Sequence, residues 1–154
     1  MKRSYFILFT VCSLLFSVLL WGCGDSSAPP DSTITINPDA LTMTCLCETP
    51  CDATWHTTFF TIYANDSNGT PLGKTKITIS YPWAFPDLYS HVQLYDGSTP
   101  VNSPFDAETD DFGVYNLRFD YMLCGMLKYY GDLEVRSGSA YAKATFEVTT
   151  NEVQ

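Results

Sequence analysis

Six cysteines are the residues with the greatest capacity for chemistry in this sequence of 154 residues. Two of them lie in the amino-terminal segment, and the other four are Cys45, Cys47, Cys51 and Cys124. An even number of thiols in an exported chain favours disulfide bonds. A bridge from Cys45 to Cys47 would close an awkward ring across two residues that point to opposite sides of an extended chain. We therefore expect Cys124 to pair with Cys45 or Cys47, and Cys51 with the remaining one; both pairings stay open.

The alternative chemistry for these thiols is a metal site, with His56 as a competing ligand. The spacing argues against it, because Cys45-Leu46-Cys47 followed by Cys51 lacks the Cys-x₂-Cys pairs of structural zinc sites, and no Cys-x-x-Cys-His haem motif occurs. His56 and His91 lack an obvious serine or cysteine nucleophile context, and carboxylates in turns are too common to identify an acid and a base. The sequence thus predicts no metal, no cofactor and no enzymatic activity.

The amino terminus predicts export. Lys2 and Arg3 precede an apolar run from Tyr5 to Trp21, which stops at the small residue Gly22, as in a secretory signal. Cys23 follows directly, and this arrangement resembles the lipobox of bacterial lipoproteins, in which the cysteine is acylated and the preceding peptide is removed. A transmembrane anchor is the alternative, but the run is short for a bilayer and has no basic cluster behind it.

The lipobox resemblance implies a protein held on a membrane through lipid at Cys23. It divides the chain into a signal peptide over residues 1–22, a flexible tether over residues 23–33 and one domain over residues 34–150, because residues 24–32 are small, polar and proline-bearing. Gly24, rather than aspartate, after the cysteine resembles an outer-membrane sorting signal. We therefore expect a location in the bacterial cell envelope, at the outer rather than the inner membrane, on the cell surface or in the periplasm.

Composition predicts the fold class and bears on the partners. The formal net charge is −9, and it becomes −11 when Lys2 and Arg3 leave with the signal. A surface this acidic repels phosphate backbones, so we expect no nucleic-acid partner. Aromatic residues make up 15% of the chain while strong helix formers are sparse, which favours an all-β fold.

Several segments alternate between apolar and polar residues with the period of a half-buried strand. Their predicted inward residues are Phe60, Ile62 and Ala64; Ile77 and Ile79; Tyr115, Leu117 and Phe119; Leu133 and Val135; and Ala142, Ala144, Phe146 and Val148. Turn signals at Asp66–Gly69, Thr109–Gly113 and Ser137–Ser139 separate them. One dry and one wet face on each strand is what a sandwich of antiparallel sheets requires.

Three motifs in order carry a family resemblance. They are Asp66-Ser67-Asn68-Gly69-Thr70-Pro71-Leu72 followed by Ile77 and Ile79; Thr109-Asp110 leading to Gly113-Val114-Tyr115-Asn116-Leu117; and Gly131-Asp132-Leu133-Glu134-Val135. Over residues 34–149 the sequence resembles bacterial immunoglobulin-like domains of the invasin and intimin type. The resemblance implies an antiparallel β-sandwich of about seven to eight strands, used as a spacer or adhesion module at the cell surface.

In such a topology, with Thr33–Thr44 as the first strand and Thr57–Ala64 as the second, the cysteine-bearing connections lie at one end of the sandwich. The acidic residues collect at the other end, in the connections that an immunoglobulin-like order labels B–C and D–E: Asp66, Asp106, Glu108, Asp110 and Asp111. Converging carboxylates could bind calcium, but turn chemistry is the favoured interpretation because no EF-type loop is present. The tether should hold the acidic end toward the membrane and leave the cysteine end outward.

An aromatic, proline-bearing segment from Tyr81 to Val101 offers a contact surface. Trp83, Phe85 and Tyr89 could stack on a sugar or a partner protein, or pack over the core or a sheet edge. The leading hypothesis is a non-enzymatic surface lipoprotein with one immunoglobulin-like module, which acts in adhesion or as an accessory or structural subunit of an envelope assembly. Its partner is then another envelope or extracellular protein. The alternative is a carbohydrate-binding module that uses Trp83, Phe85 and Tyr89.

Overall fold

Ten strands make up the described part of the chain. The computed structural model describes residues 27–46, 54–81, 92–123 and 129–151. The strands are β1 (Thr33–Asn37), β2 (Ala40–Leu46), β3 (Thr54–Asn65), β4 (Lys76–Ser80), β5 (Val92–Asp96), β6 (Thr99–Val101), β7 (Phe105–Glu108), β8 (Val114–Leu123), β9 (Tyr129–Ser137) and β10 (Ala140–Asn151). Across these ranges no helix is long and apolar enough to cross a membrane.

The strands form two five-stranded sheets that enclose one core. Sheet 1 has the order β1-β3-β8-β5-β6, and sheet 2 has the order β2-β10-β9-β4-β7. In immunoglobulin-like terms, β1, β3, β8 and β5 occupy the A, B, E and D positions, and β4, β9 and β10 occupy the C, F and G positions. The predicted all-β, immunoglobulin-like sandwich is confirmed.

The strand count and one pairing differ from the prediction. The described residues contain ten strands rather than about seven to eight, because β5, β6 and β7 are only 5, 3 and 4 residues long and give too short a pattern to identify a strand. The predicted first strand, Thr33–Thr44, is two strands. It breaks at Pro38, which follows a cis peptide bond and lacks the N–H that an unbroken ladder needs. The chain there passes from sheet 1 to sheet 2, where β2 runs parallel to β10 in an otherwise antiparallel arrangement.

The core lies between the inner faces of the two sheets. Every inward residue predicted from alternation is buried, except Ala142, which is half-buried. Phe119 links the sheets, since its ring centroid lies 5.5 Å from that of Phe60 and 4.8 Å from that of Phe146, both edge-on. Gly131 lies opposite Phe146 in the ladder. A Cβ added at Gly131 would lie 2.6 Å from Phe146 Cζ, so the absence of a side chain makes room for the ring.

The first described residues, which lie within the predicted tether of residues 23–33, contact the domain. Ser27 forms a parallel bridge with Lys76, and Ala28 is buried. The Ala28 N–H donates to Ser137 Oγ at 2.8 Å, and the Ser137 hydroxyl donates to the Lys76 carbonyl at 2.5 Å. One buried serine thus joins Ala28 and the start of β4, and it attaches this segment to the sandwich. Residues 23–26 lie outside the described part of the chain.

Candidate partner-binding face

Most of the predicted site residues lie outside the described residues: Cys23, Cys47, Cys51, Cys124, Trp83, Phe85 and Tyr89. Cys45 lies in strand β2. Thr54 pairs with Leu123 and Cys45 with Thr150, so the strands that flank both cysteine-bearing connections reach the same end of the sandwich, as expected. The disulfide pairings, the lipid at Cys23 and the role of the three aromatic residues stay predictions.

The acidic end of the sandwich contains two turns with the same hydrogen-bonding pattern. In each turn an aspartate Oδ1 accepts the N–H groups two and four residues later, and a glycine with positive φ stands three residues later. The bonds run to Asp66 from Asn68 and Thr70 (2.8 Å each) and to Asp110 from Phe112 and Val114 (2.9 Å each), with Gly69 at φ +82° and Gly113 at +72°. These backbone bonds lower the pKa of Asp66. The predicted turn chemistry is confirmed at Asp66 and Asp110.

The other acidic residues of this end make separate contacts. Asp111 pairs with Lys74 at 3.4 Å on the surface, and Asp106 accepts a 2.7 Å bond from the Thr78 hydroxyl. Asp106 and Glu108 lie in strand β7 and not in a connection, which corrects their predicted place. Among the described residues, no three His, Cys, Asp or Glu side chains are grouped so that they could hold a metal ion.

His56, which the sequence offered as a competing metal ligand, has a different neighbour. Its ring stacks on Tyr121 with the centroids 5.6 Å apart. His56 and Tyr121 are Cα partners on β3 and β8, so this contact is an ordinary cross-strand aromatic pair. It helps to close the sandwich near the cysteine-bearing connections.

The outer face of sheet 1 carries three exposed aromatic side chains in one row. Trp55, Phe59 and Tyr63 are 48%, 55% and 37% exposed. They occupy every fourth position of β3, on the side opposite to buried Phe60 and Ile62. Four residues of a strand span about 13 Å, so the row extends over about 26 Å. Aromatic groups gathered on one solvent-facing surface are typical of an interaction site.

An arginine and a fourth ring extend the row across the sheet. Arg118 of β8 lies between Phe59 of β3 and Tyr95 of β5 in the ladder. Its Cζ atom stands 4.4 Å from the centroid of the Tyr95 ring. Its Nε and Nη2 donate to the two carboxylate oxygens of Asp120 at 2.9 and 2.6 Å, a bidentate pair that fixes the guanidinium plane. We call Trp55, Phe59, Tyr63, Tyr95 and Arg118 the outer aromatic face.

Asp120 lies on the same side of sheet 1, two residues after Arg118 on β8. The residue is 6% exposed and also accepts a 2.8 Å bond from the Thr57 hydroxyl. Burial would raise the pKa of Asp120, but the hydrogen bonds from Arg118 and Thr57 outweigh it and lower the pKa below its ordinary value. Asp120 is therefore ionised at neutral pH and restricts Arg118 to one orientation. An arginine ordered in advance loses less conformational freedom on binding.

The outer face of sheet 2 has a different character. In the described part of the chain it carries the exposed rings of Tyr130 (49%) and Tyr141 (45%), and Tyr141 is covered in part by Arg136, whose Cζ lies 4.6 Å from the ring centroid. Beside it, Lys143 pairs with Asp132 at 2.7 Å. Charged and hydroxyl-bearing side chains thus occupy much of this surface. It serves as a comparison surface on the same molecule.

The outer aromatic face was not predicted from the sequence, although a signal for part of it exists. The alternation predicts that Phe60 and Ile62 point inward, so the odd-numbered residues of β3 must point outward. Aromatic residues at positions 55, 59 and 63 then share that face. The contribution of Tyr95 and Arg118 has no such signal, because their place beside Phe59 depends on the register of three strands distant in sequence.

Comparisons with known proteins find similarity of fold only. No protein-family model matches the sequence, and no curated protein is detectably similar to it. Among solved structures, the chain is similar to the ASH/PapD-like domain 7 of human CEP192, with 10% identity, a TM-score of 0.45 and coverage of 83% of this chain and 92% of that one. WR4, an MSP family member of C. elegans, gives 8% identity, a TM-score of 0.43 and coverage of 77% and 98%.

A further similar structure is the N-terminal domain of PorA. It gives 10% identity, a TM-score of 0.45 and coverage of 78% of this chain and 97% of that one. Likenesses this weak carry no argument about activity or partner. The assignment of the fold stands on the strand order and pairing of this chain itself.

Proposed function

We propose that this protein is a non-enzymatic binding module, held on a bacterial envelope membrane through lipid at Cys23. The outer aromatic face is its contact surface for another envelope or extracellular protein. The exposed row of Trp55, Phe59 and Tyr63 beside an oriented Arg118 is the observation that carries the proposal. A role in adhesion, or as an accessory subunit of an envelope assembly, follows from such a surface on an anchored domain.

The residue types favour a protein as the partner. Tryptophan, tyrosine and arginine are enriched at the energetic centres of protein interfaces. Arg118 and Asp120 neutralise each other on this face, while the chain carries a net charge of −9, or −11 without Lys2 and Arg3. A complementary partner would therefore present an apolar patch with a basic rim, because an acidic rim would be repelled.

The resemblance to invasin- and intimin-type domains supports the adhesion role. Such domains act as surface modules, and the motifs at Asp66–Leu72 and Thr109–Leu117 form the tight turns described above. The contacts of Ser27 and Ala28 with the sandwich leave residues 24–26 between the lipidated cysteine and the domain. The domain would then stand close to the membrane, as suits a subunit of an envelope assembly.

Comparison of membrane extracts tests the proposal. The full chain would be purified from detergent-solubilised membranes of the source cells in three forms: wild type, Phe59→Ala, and Tyr141→Ala as a control on the other face. We expect one protein that co-purifies with wild type and with Tyr141→Ala but is depleted with Phe59→Ala. The same protein, purified, should then bind the wild-type chain about 30-fold more tightly than Phe59→Ala, as expected for a central interface residue. Equal binding by all three forms would exclude the outer aromatic face.

Carbohydrate binding is the second candidate. The three residues on which the sequence hypothesis depends, Trp83, Phe85 and Tyr89, lie outside the described residues, but the straight row on β3 offers another set of ring faces for an elongated sugar chain. A glycan array with wild type, Trp83→Ala and Trp55→Ala separates these cases. Sugar binding lost in Trp55→Ala alone would assign the row to carbohydrate and overturn the protein-partner proposal.

A further inference from the structure

The edge strands found in the described ranges, β1, β2, β6 and β7, differ in how they are protected against pairing with another chain. Edge strands present unpaired N–H and C=O groups, and proteins block them with short length, charge or proline. Strand β6 has 3 residues and contains Pro100, and β7 has 4 residues with Asp106 and Glu108. Strand β1, the edge of sheet 1, lies against β10 of sheet 2 at the side of the sandwich.

Strand β2 has none of these protections. Its 7 residues, Ala40–Leu46, contain no charged residue and no proline. Among the described residues, β10 is its single ladder neighbour. The side chains of Thr42 and Thr44 are exposed, whereas Met43 is buried in the core. An uncharged strand of this length at the edge of a sheet is a template for a further strand.

One hydrogen bond determines which backbone groups of β2 are available. Thr145 N donates to Asp39 O at 2.9 Å, and Thr145 pairs with Ala40 in the parallel ladder. In a parallel ladder every second residue of one strand bonds the two neighbours of its Cα partner, so Thr145 and Glu147 of β10 engage residues 39, 41 and 43 of β2. Residues 40, 42 and 44 therefore direct their N–H and C=O groups to the open edge.

The open edge is complementary to itself. If a second β2 lies antiparallel to the first with Met43 opposite Met43, then Thr42 of one copy stands opposite Thr44 of the other. Both residues direct their N–H and C=O groups outward, so each such pair forms two hydrogen bonds. The two hydroxyl side chains lie on the same face, a favourable cross-strand combination. Met43 stays on the core side in both copies.

The acidity of the chain does not oppose this arrangement. Glu147, the acidic residue beside Thr42 on β10, would be separated from its counterpart by about three strand spacings, or roughly 14 Å. Glu147 is half-buried, but this distance exceeds the Debye length of about 8 Å at physiological ionic strength, so the repulsion is weak.

We propose that β2 is a self-association edge, through which two copies of this chain pair antiparallel around a two-fold axis at Met43 and join their second sheets into one sheet. This inference does not depend on the outer aromatic face, which lies on sheet 1. Because the strands run antiparallel, the two Ser27 residues stand at opposite ends of the pair.

Charge exchange across the joint tests the proposal on the full chain, extracted from membranes in detergent with two different affinity tags. Thr42→Lys/Thr44→Lys places lysine opposite lysine, and Thr42→Glu/Thr44→Glu places glutamate opposite glutamate. We expect each variant to recover about tenfold less of its differently tagged copy than wild type does, because like charges directly opposite one another repel. Mixing the lysine and glutamate variants should restore recovery, since each lysine then faces a glutamate.

Two further variants keep the test interpretable. Thr33→Lys/Thr35→Lys adds the same charge to the edge strand β1 and should self-associate like wild type. Thr42→Pro removes an N–H that points away from β10, so it should abolish recovery while the far-ultraviolet circular dichroism stays that of a β-sandwich. A wild-type chain that recovers no second copy would overturn the proposal. So would recovery that is equal in all variants, or a lysine–glutamate mixture that fails to reassociate.

Discussion

Replacing Gly131 by alanine puts a methyl group into space that the Phe146 ring already occupies. The added Cβ would lie 2.6 Å from Cζ and 2.9 Å from Cε1 of that ring, well inside van der Waals contact. The ring cannot move freely, because its centroid is 4.8 Å from that of Phe119 in the middle of the core. Overpacking of a core costs about 1–3 kcal/mol, and the loss of glycine freedom in the unfolded chain returns about 0.4–1 kcal/mol. We expect a net loss of about 1–2 kcal/mol.

Urea unfolding followed by tryptophan fluorescence measures this loss as a lower midpoint with an unchanged slope. A double-mutant cycle with Phe146→Leu identifies the cause. Leucine leaves space for the new methyl group, so Gly131→Ala should cost little or nothing in the Phe146→Leu background, with a coupling energy of about 1 kcal/mol or more. A Gly131→Ala protein as stable as wild type would refute the packing argument. A loss of equal size in both backgrounds would show that the ring is not its cause.

Three other predictions concern the acidic end and the buried polar groups. Gly113→Ala should lower the melting temperature more than Gly69→Ala. Both glycines have positive φ, but only at Gly113 would the added Cβ collide with the backbone, 2.6 Å from the Ala64 carbonyl oxygen. Equal shifts in melting temperature would contradict this prediction. Asp120→Asn should be less stable than wild type at pH 7. The difference in stability should shrink as the pH falls below 3.8, the ordinary pKa of an aspartate, because a lowered native pKa contributes stability only while the carboxyl is ionised. A difference independent of pH would contradict the ion pair with Arg118. Ser137→Ala should lower the free energy of unfolding by about 1–3 kcal/mol. It should also speed hydrogen exchange at the Ala28 N–H, which donates to the serine hydroxyl. Exchange at the wild-type rate would show that Ser137 does not hold this segment.

Local patterns in the sequence predict much of the fold. Period-two alternation places Phe60, Leu117 and Val135 inward, and the structure buries all three. Aspartate and glycine at matched spacing predict the turns at Asp66 and Asp110, because the side chain and the positive φ act within the same few residues. These features depend on neighbours in sequence, and a sequence displays them directly.

Features that depend on distant partners are harder to predict. The segment around Ala28 looks like a linker because it is small and polar, yet a hydrogen bond to Ser137 attaches it to the domain. The division of the first strand at Pro38 depends on two different sheets offering pairing partners. The outer aromatic face likewise needs the register of β3, β8 and β5 to bring Phe59, Arg118 and Tyr95 into one line.

Site-specific photo-crosslinking in intact cells tests the central claim, that the outer aromatic face is where this anchored module meets its partner. A photoreactive amino acid would replace Thr61, between Phe59 and Tyr63 on β3, or Thr145 on the outer face of sheet 2. We predict one protein adduct from position 61 that disappears when Phe59→Ala is added, and no such adduct from position 145. An adduct that persists with Phe59→Ala, or that forms equally from position 145, would contradict the assignment of this face.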